Sequence, residues 1–521
     1  MKTWLGLSLA LAVAFAVPAF PAAAQEASKD AKPAASEQKP AALADQAKEE
    51  SSTTDHTIQL GGQTIPYKAT ASTTLLKNAD GDPTALIFSV AYVRSDVKDS
   101  SQRAIAFVYN GGPGSASLWL HMGAFGPRRV VTADAKATPP APYTVVDNSD
   151  CLLDKTDLVF IDPVGTGFSH AVGKAKDKDF WGIDPDVKSL AQFINIYVNR
   201  NNRWNSPKFL IGESYGTFRS AALSNYLQSH DSMNLNGIVL LSTVLDMSTL
   251  QFQIGQDMPY VFYLPSYAAT AWYHNTLKNR PADLVAFLAE AREYAATDYA
   301  AALMKGSALT STQKEEVAKK LSYFTGLSED YLLKAELRVT LGQFRAELLR
   351  SQGLDTGRLD ARFSGPMYDL LAEFGGGDPL EAAISGPFVA AFNQYVRETL
   401  KFNPDRAYVA LSEAVGNNWD WKHNPSSPGG DPVAPSVEGD LAHALLSNPY
   451  LNVQVENGYF DLATPFFATE YTMSHLLLPE KVQQRIHLEY YDAGHMMYLR
   501  DADRAKLKSN ISALIDETTK R

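Results

Sequence analysis

The segment from residue 209 to residue 216 constrains the fold of this chain more than any other. A short apolar run, residues 209–211, leads into Gly-Glu-Ser-Tyr-Gly, and residues 217–226 follow with helical character. Glycines two positions before and after Ser214 let a strand and a helix approach closely, while the turn holds the serine exposed in a strained conformation. This strand–turn–helix context predicts that Ser214 is a catalytic nucleophile.

Short apolar runs of the same kind recur along the chain, each ending in a polar or glycine-rich turn. Their continuous apolar character favours strands buried on both faces, as in a sheet covered by helices. They occupy residues 105–109, 158–161, 209–211, 238–241, 451–455 and 486–490, after a predicted hairpin at residues 58–67 and a strand at residues 85–93. Together with the turn at Ser214, they predict an α/β-hydrolase fold with a mixed, mostly parallel sheet and helices on both faces.

Residues 248–403 differ in composition and in the spacing of apolar residues from the rest of the chain. Ala, Leu, Glu, Lys and Arg recur there at helical spacing, which predicts a helical lid insertion. Residues 55–247 and 404–521 are then the α/β-hydrolase core, since 521 residues suffice for one large domain with such an insertion. The Gly-, Pro- and Ser-rich residues 424–436 are predicted to form a surface loop.

The N-terminus has the pattern of a signal peptide over residues 1–24. A positive charge precedes an apolar stretch, and three alanines form a cleavage site before Gln25. A membrane anchor is the alternative, but prolines interrupt the stretch, which is shorter than the ~20 residues that span a bilayer. Residues 25–54 lack aromatic side chains and are predicted to be a disordered linker. We therefore expect a periplasmic or secreted protein without stable membrane insertion after signal cleavage.

Composition excludes other classes of function. A formal net charge of −11 gives no basic surface of the kind that binds nucleic acid. Cys151, the single cysteine, cannot form an intramolecular disulfide, and we interpret it as a small packed residue. Neither the glycines at residues 111–114 nor those at 165–167 complete a nucleotide-binding motif, so no cofactor or metal is predicted.

A serine nucleophile requires a histidine base and an orienting carboxylate, which follow it in this fold in the order Ser, acid, His. Three histidines lie beyond residue 451. His475 falls in a helical segment and His487 within a strand, where a packed or surface role is favoured. His495 directly follows the end of the last strand, in a loop, and is the predicted base.

The predicted acid is Asp461, just past a strand, where Gly458 permits the turn. Glu456 and Asp492 are competing candidates, and Asp461 could instead be a solvated loop acid. Gly112, in the glycine-rich loop after the strand at residues 105–109, is predicted to form the oxyanion hole with the N–H of Tyr215.

These segments together resemble the serine carboxypeptidase family (peptidase family S10). The family pattern is Asn-Gly-Gly-Pro-Gly, Asp-x-Pro-Val-Gly-x-Gly-Phe-Ser, Gly-Glu-Ser-Tyr-Gly, Gly-x-x-Asp-x-x-x-Pro and Gly-His-Met. It is matched in order by residues 110–114, 162–169 (without the residue between Asp and Pro), 212–216, 458–465 and 494–496. The resemblance implies a serine-type carboxypeptidase that hydrolyses C-terminal residues from peptides through an acyl-enzyme, here an exported bacterial member.

The resemblance also implies how the terminal carboxylate of a peptide binds. Asn110, the N–H of Gly111 and Glu213 hold it, and the two carboxyl groups share a proton because both cannot stay ionised in contact. The family usually has a second glutamate where this chain has Ala124, and a cysteine where it has Ser115.

Loss of the second glutamate should weaken the acid pair. Arg128 or Arg129 is the candidate charge complement. We therefore expect an activity optimum less acidic than is usual in the family, and a profile that peaks at about pH 4 to 5, where glutamates titrate, would contradict this.

Two other functions remain open. An esterase or acyltransferase would use the same Ser-Asp-His triad, because the fold and the triad do not fix the acyl acceptor. A silent binding protein is disfavoured because all three triad positions are filled. Trp419 and Trp421 either line a substrate pocket or pack in the core.

Overall fold

The computed structural model describes residues 47–423 and 435–520. The predicted signal peptide, residues 25–46 of the predicted linker and residues 424–434 of the predicted surface loop therefore lie outside the described residues.

A mixed ten-stranded sheet forms the centre of the fold. Its order is β1-β2-β3-β7-β4-β9-β10-β13-β14, with β8 paired to β3, and two further strand pairs lie apart from it, β5 with β6 and β11 with β12. All six strands from β7 to β14 along this order run parallel, whereas β1, β2 and β3 pair antiparallel. The strands are β1 (Ser51–Leu60), β2 (Gln63–Lys77), β3 (Pro83–Arg94), β4 (Ala104–Tyr109), β5 (Arg128–Val130), β6 (Val145–Asp147), β7 (Thr156–Ile161), β8 (His170–Ala171), β9 (Lys208–Glu213), β10 (Gly237–Leu241), β11 (Leu354–Thr356), β12 (Ser364–Pro366), β13 (Asn452–Gly458) and β14 (Ile486–Tyr491).

Helices cover the sheet and fill the long connection between β10 and β13. The α-helices are α1 (Ile183–Arg200), α2 (Tyr215–His230), α3 (Met258–Tyr273), α4 (Leu284–Tyr294), α5 (Ala300–Lys305), α6 (Ser311–Thr325), α7 (Glu329–Lys334), α8 (Leu341–Leu348), α9 (Pro379–Gln394), α10 (Glu413–Asn417), α11 (Glu438–Ser447), α12 (Phe466–Ser474), α13 (Glu480–Gln483) and α14 (Asp501–Thr519). Short 3₁₀ and π turns connect several of them.

Each central strand contributes to two cores because successive side chains point to opposite faces. In β4, Ile105 and Phe107 pack with helices α1, α2 and α11. Ala106 and Val108 pack on the other face with α9 and α14. The sheet is thus buried on both sides, which explains its continuous apolar strands and agrees with the predicted α/β-hydrolase fold.

The first strand begins at Ser51, so that its first four residues, 51–54, overlap the predicted linker, which ends at residue 54. Its residues are polar and alternately exposed, so hydrophobicity gave no sign of a strand. The backbone nevertheless pairs with β2 from Ser51 opposite Ser72 onward, and Ser52 Oγ donates to the carbonyl of Leu400. The folded part therefore includes residues 51–54, contrary to the predicted boundary.

Residues 248–403 are mostly helical, with the short strands β11 and β12 between the helices, and they form two structural parts. Helices α3 to α8 enclose a core of their own, which also includes Phe460 and Phe466 from beyond β13. Helix α9, by contrast, belongs to the core of the sheet, where Ile384 and Phe388 pack. The predicted single lid therefore corresponds only to helices α3 to α8, because α9 packs on the sheet itself. Among the described helices, none has both the length and the apolar character needed to cross a membrane.

Candidate active site

Ser214 lies in a strained turn between strand β9 and helix α2. Its backbone has φ 59° and ψ −129°, a region that non-glycine residues rarely occupy. The N–H of Ser214 donates to the carbonyl of Leu241 at 2.9 Å, which fixes the turn against β10. A Cβ on Gly212 would clash with the carbonyl of Gly216, so the close approach of strand and helix requires glycine there.

His495 and Asp461 meet at the carboxyl edge of the parallel strands. The Nδ1–H of His495 donates to Asp461 Oδ2 at 2.7 Å, and both side chains are buried. Asp461 also accepts from the N–H groups of Ala463 and Thr464 at 2.7 and 3.0 Å and from the Thr464 hydroxyl at 2.7 Å. These bonds fix the carboxylate, which in turn orients the imidazole, so that Nε2 is the ring nitrogen that Asp461 does not engage.

The other candidates for the base and the acid do not take part in this pair. His475 and His487 are exposed. Glu456 is buried in β13, where it accepts a hydrogen bond from the Tyr491 hydroxyl, and Asp492 is exposed with Arg500 at 3.8 Å. Of the candidate acids, Asp461 is the one hydrogen-bonded to His495.

The loop after β4 lies directly against the turn at Ser214. A Cβ on Gly111 would clash with the backbone nitrogen of Tyr215. Gly112 has φ +101°, a conformation that favours glycine, and lines the same cavity as Ser214. Tyr215 begins α2, and the first N–H groups of a helix have no acceptor within it. The structure thus brings the two predicted oxyanion-hole residues to the side of the nucleophile.

Glu213 is buried beside Ser214 and contacts the other predicted carboxylate-binding residue. Asn110 Nδ2 donates to Glu213 Oε1 at 2.8 Å, and Asn110 Oδ1 accepts from the N–H of Leu120 at 3.1 Å. Burial raises the pKa of Glu213 to about 7, although the positive charge of His495 and the bond from Asn110 oppose this. Glu213 therefore carries a proton in a large fraction of molecules at neutral pH.

Burial and charge act in opposite directions on the predicted base. Burial lowers the pKa of His495, but the Asp461 carboxylate outweighs it through its charge and its hydrogen bond, and Glu213 adds to the effect. The net pKa of His495 lies above its ordinary value. A positively charged Arg358 nearby lowers it again by a smaller amount.

One cavity of about 830 Å³ joins these groups. Ser214, His495, Glu213 and Asn110 line it together with both loop glycines. Residues 380–389 of α9 and residues 408–417 form the opposite wall, so the cover of the site extends past the predicted lid boundary at residue 403. Arg358 is the only Lys or Arg among the described residues that line this cavity.

Several residues that support the site gave no motif in the sequence. Arg219, fully buried in α2, donates to the carbonyl of Asn110 at 2.8 Å and to Asp186 at 2.6 Å. The N–H of His495 donates to the carbonyl of Leu359 at 2.6 Å, and the N–H of Gly494 donates to Asp360 at 3.1 Å. The connection between β11 and β12 therefore anchors the histidine loop, and only the fold reveals this.

The positions that depart from the family pattern are buried. Ala124 has no exposed surface, and Ser115 accepts a hydrogen bond from Trp119 Nε1 at 2.9 Å. The predicted charge complement is wrong: Arg128 pairs with Asp147, and Arg129 lies 3.9 Å from Asp501. Neither arginine lines the cavity at Ser214, because β5 directs both toward surface carboxylates.

Trp419 and Trp421 pack edge-on against the ring of Tyr215. His423, two residues after Trp421, lies between two carboxylates. Its Nδ1 is 2.7 Å from Asp184 and its Nε2 is 2.8 Å from Asp440. Burial lowers the pKa of His423, but the two carboxylates raise it overall, from 6.5 to about 9.

The contacts of His423 with Asp184 and Asp440, here called the clamp, predict a loss of stability at alkaline pH. Because the pKa of His423 is higher in the folded state, its contribution is complete below 6.5 and is lost as pH rises through about 9. We expect His423→Gln to lower the free energy of unfolding by up to about 3 kcal/mol at neutral pH and by much less at about pH 10. Urea unfolding at both pH values measures this.

His443→Gln is the matched control, because His443 contacts the neutral amide of Asn225 at 2.8 Å. This substitution removes a hydrogen bond to an uncharged group and no ion pair. An equal, pH-independent loss in both variants would contradict the clamp.

Cys151 is buried, and burial raises the pKa of its thiol to about 12, which agrees with a packed residue rather than a nucleophile. Within residues 47–423 and 435–520, no group of three His, Cys, Asp or Glu side chains is placed to hold a metal ion.

Comparison with known proteins supports the fold. The structure superposes on Kex1Δp, a prohormone-processing carboxypeptidase from Saccharomyces cerevisiae, with a TM-score of 0.55, 15% identity and coverage of 87% of this chain and 92% of that chain. A proline iminopeptidase from Mycobacterium smegmatis gives a TM-score of 0.37 at 13% identity, covering 86% of this chain and 98% of that chain. No curated protein sequence matches the chain.

The family model for serine carboxypeptidases matches residues 88–503, which include all five sequence blocks and most of the described chain. That range contains Ser214, Asp461 and His495 as well as the loop at Asn110. The chain belongs to the serine carboxypeptidase family.

Proposed function

We propose that the protein is a serine carboxypeptidase that releases the C-terminal residue of peptides through an acyl-enzyme. The observation that carries this proposal is the buried pair of Asn110 and Glu213 immediately beside Ser214. A carboxyl group that is partly protonated at neutral pH can share its proton with a peptide's terminal carboxylate. A simple ester offers no partner for it.

The geometry supports a division of roles. Ser214 Oγ attacks the last peptide carbonyl while His495 Nε2 takes its proton, and Asp461 holds the imidazole in the required orientation. The N–H groups of Gly112 and Tyr215 stabilise the oxyanion. His495 then gives the proton to the leaving amine, and water hydrolyses the acyl-enzyme by the same route in reverse.

The carboxylate subsite defines where the chain is cut. Asn110, the N–H of Gly111 and Glu213 bind the terminal carboxylate, which places the preceding peptide bond at Ser214. Longer substrates extend into the remaining cavity along α9. Because Glu213 stays protonated to about pH 7, we also propose that the optimum is less acidic than is usual for the family.

A matched pair of peptides tests the proposed function. We expect a free-acid peptide to lose C-terminal residues at least about 100-fold faster than its C-terminal amide, because the amide cannot share the proton of Glu213. Mass spectrometry of the released residues measures both rates. Equal rates on both peptides, or hydrolysis confined to simple esters, would instead favour the esterase or acyltransferase.

Export to the periplasm or the medium stays a prediction, because the segment on which it depends lies outside the described residues.

A further inference from the structure

Tyr498 lies behind the carboxylate subsite, three residues after His495. It belongs to the short 3₁₀ turn Met497–Leu499, and its side chain is completely buried. Its ring packs against Gly123, where an added Cβ would come within 2.7 Å of the ring carbon Cε2. The position of the phenol is therefore fixed by close packing rather than by solvent.

Two buried oxygen atoms in this region lack hydrogen-bond partners. Glu213 Oε1 accepts from Asn110, but Glu213 Oε2 has no partner among the described residues. The hydroxyl of Tyr498 has none either. The two groups interact: burial raises the pKa of Tyr498 well above its usual value and the charge of Glu213 adds to this, while Tyr498 opposes the rise that burial causes in the pKa of Glu213. A buried phenol and a buried carboxyl left without other partners are strongly driven to bond to each other.

We propose that Tyr498 is a positioning residue of the carboxylate subsite, whose hydroxyl donates to Oε2 of ionised Glu213 and so sets the pH above which Glu213 stops binding a terminal carboxylate. This inference rests on the proposed carboxypeptidase function. It assigns a role to a residue that has no place in the motifs and does not itself line the substrate cavity.

The charged surroundings of the pair are well defined. On the side of the nucleophile, His495 and Asp461 act on Glu213 with opposite signs. Beyond Tyr498 lies a separate cavity of about 60 Å³, lined by Arg129, Arg504 and Asp501 among others. Tyr498 lines this second cavity, and its hydroxyl is, like Glu213 Oε2, buried without a partner among the described residues, while each of the two groups acts on the pKa of the other.

The direction of the effect follows from proton sharing. The neutral form of Glu213 binds a substrate carboxylate, whereas the ionised form repels it. A phenol that donates to the ionised form stabilises that form and lowers the pKa of Glu213, as the structure indicates. Removal of the hydroxyl should therefore keep Glu213 protonated, and able to bind the substrate, to a higher pH.

Tyr498→Phe tests this with two substrates that share one acyl residue, an N-blocked dipeptide free acid and the methyl ester of its N-blocked first residue. The readout is the ratio of kcat/KM for the acid to kcat/KM for the ester across pH, which cancels the titration of His495. Above the pKa of Glu213, about 7 in the wild type, this ratio should fall as pH rises. In Tyr498→Phe we expect the ratio at about pH 9 to be roughly tenfold higher than in the wild type, mainly through KM, and unchanged at about pH 5.

Tyr491→Phe is the matched control. Tyr491 also donates from a buried phenol to a buried glutamate, Glu456, at 2.7 Å, but Glu456 does not line the substrate cavity. The ratio of kcat/KM for the acid to kcat/KM for the ester in Tyr491→Phe should therefore follow that of the wild type across pH. Thermal unfolding of both variants establishes that each is folded.

The outcomes separate the two proposals. If the wild type cleaves the ester but not the free acid at any pH, the proposed carboxypeptidase function fails. If the wild type cleaves the acid and the ratio is unchanged in Tyr498→Phe, or changes equally in Tyr491→Phe, the role of Tyr498 is overturned while the function stands. A loss of kcat alone, equal for acid and ester, would assign Tyr498 a purely structural role.

Discussion

Ser214→Ala is expected to lower kcat on a free-acid peptide by about 10⁴-fold or more while leaving the fold intact. In the proposed mechanism the hydroxyl attacks the substrate from the strained turn at φ 59°, and its removal leaves only binding and oxyanion stabilisation. The backbone bond from Ser214 to Leu241 does not involve the side chain, so alanine should adopt the same turn. Steady-state kinetics and thermal unfolding measure the two effects.

Ser224→Ala is the matched control, because Ser224 lies on the same helix and its hydroxyl donates to the carbonyl of Ala221 at 2.7 Å. A fluorophosphonate probe should label the wild type and Ser224→Ala but not Ser214→Ala. If Ser214→Ala retained labelling or turnover, the assignment of Ser214 as the nucleophile would be refuted.

Asp461→Asn should lower kcat by about 10³- to 10⁴-fold with a small change in KM. An amide at this position presents a donor as readily as an acceptor, and it no longer holds the proton of His495 on Nδ1. The imidazole is then free to adopt the tautomer that cannot accept the proton of Ser214. Its pKa should also fall, since Asp461 is the main group that raises it.

Asp492→Asn provides the comparison, because Asp492 is the nearby acid that competes for the role in the sequence and lies exposed beside Arg500. It should retain nearly full activity. A large loss of activity in Asp492→Asn with little loss in Asp461→Asn would instead assign Asp492 as the acid that orients His495.

Local sequence patterns were sufficient to predict those features whose residue types are dictated by their immediate surroundings. Glycines flanking Ser214 and at Gly111 are required by close backbone contacts, and these contacts leave almost no freedom in the residue that occupies the position. Apolar runs located the parallel strands because burial on both faces demands continuous apolar side chains. The hydrogen bond between His495 and Asp461 follows from their positions after neighbouring strands β13 and β14.

Local patterns misplaced features that depend on backbone pairing or on charge partners. Residues 51–54 are polar, yet they pair with β2, because a ladder of backbone hydrogen bonds does not require apolar side chains. Arg128 and Arg129 precede no motif that shows where they point, and the structure directs them to Asp147 and Asp501. Proximity in sequence to Ala124 was a poor guide to proximity in space.

The sequence by itself determined the fold class, and it predicted a serine, an acid, a histidine and a glycine-rich loop that the structure brings together, because each of these lies in a motif of a few consecutive residues. Only the tertiary structure decided which groups surround Glu213 besides the predicted Asn110: Tyr498 from the segment after β14, and the wall formed by α9. These residues are far apart in the chain. Their proximity comes from the order of strands in the sheet and the packing of helices on it, which no short pattern records.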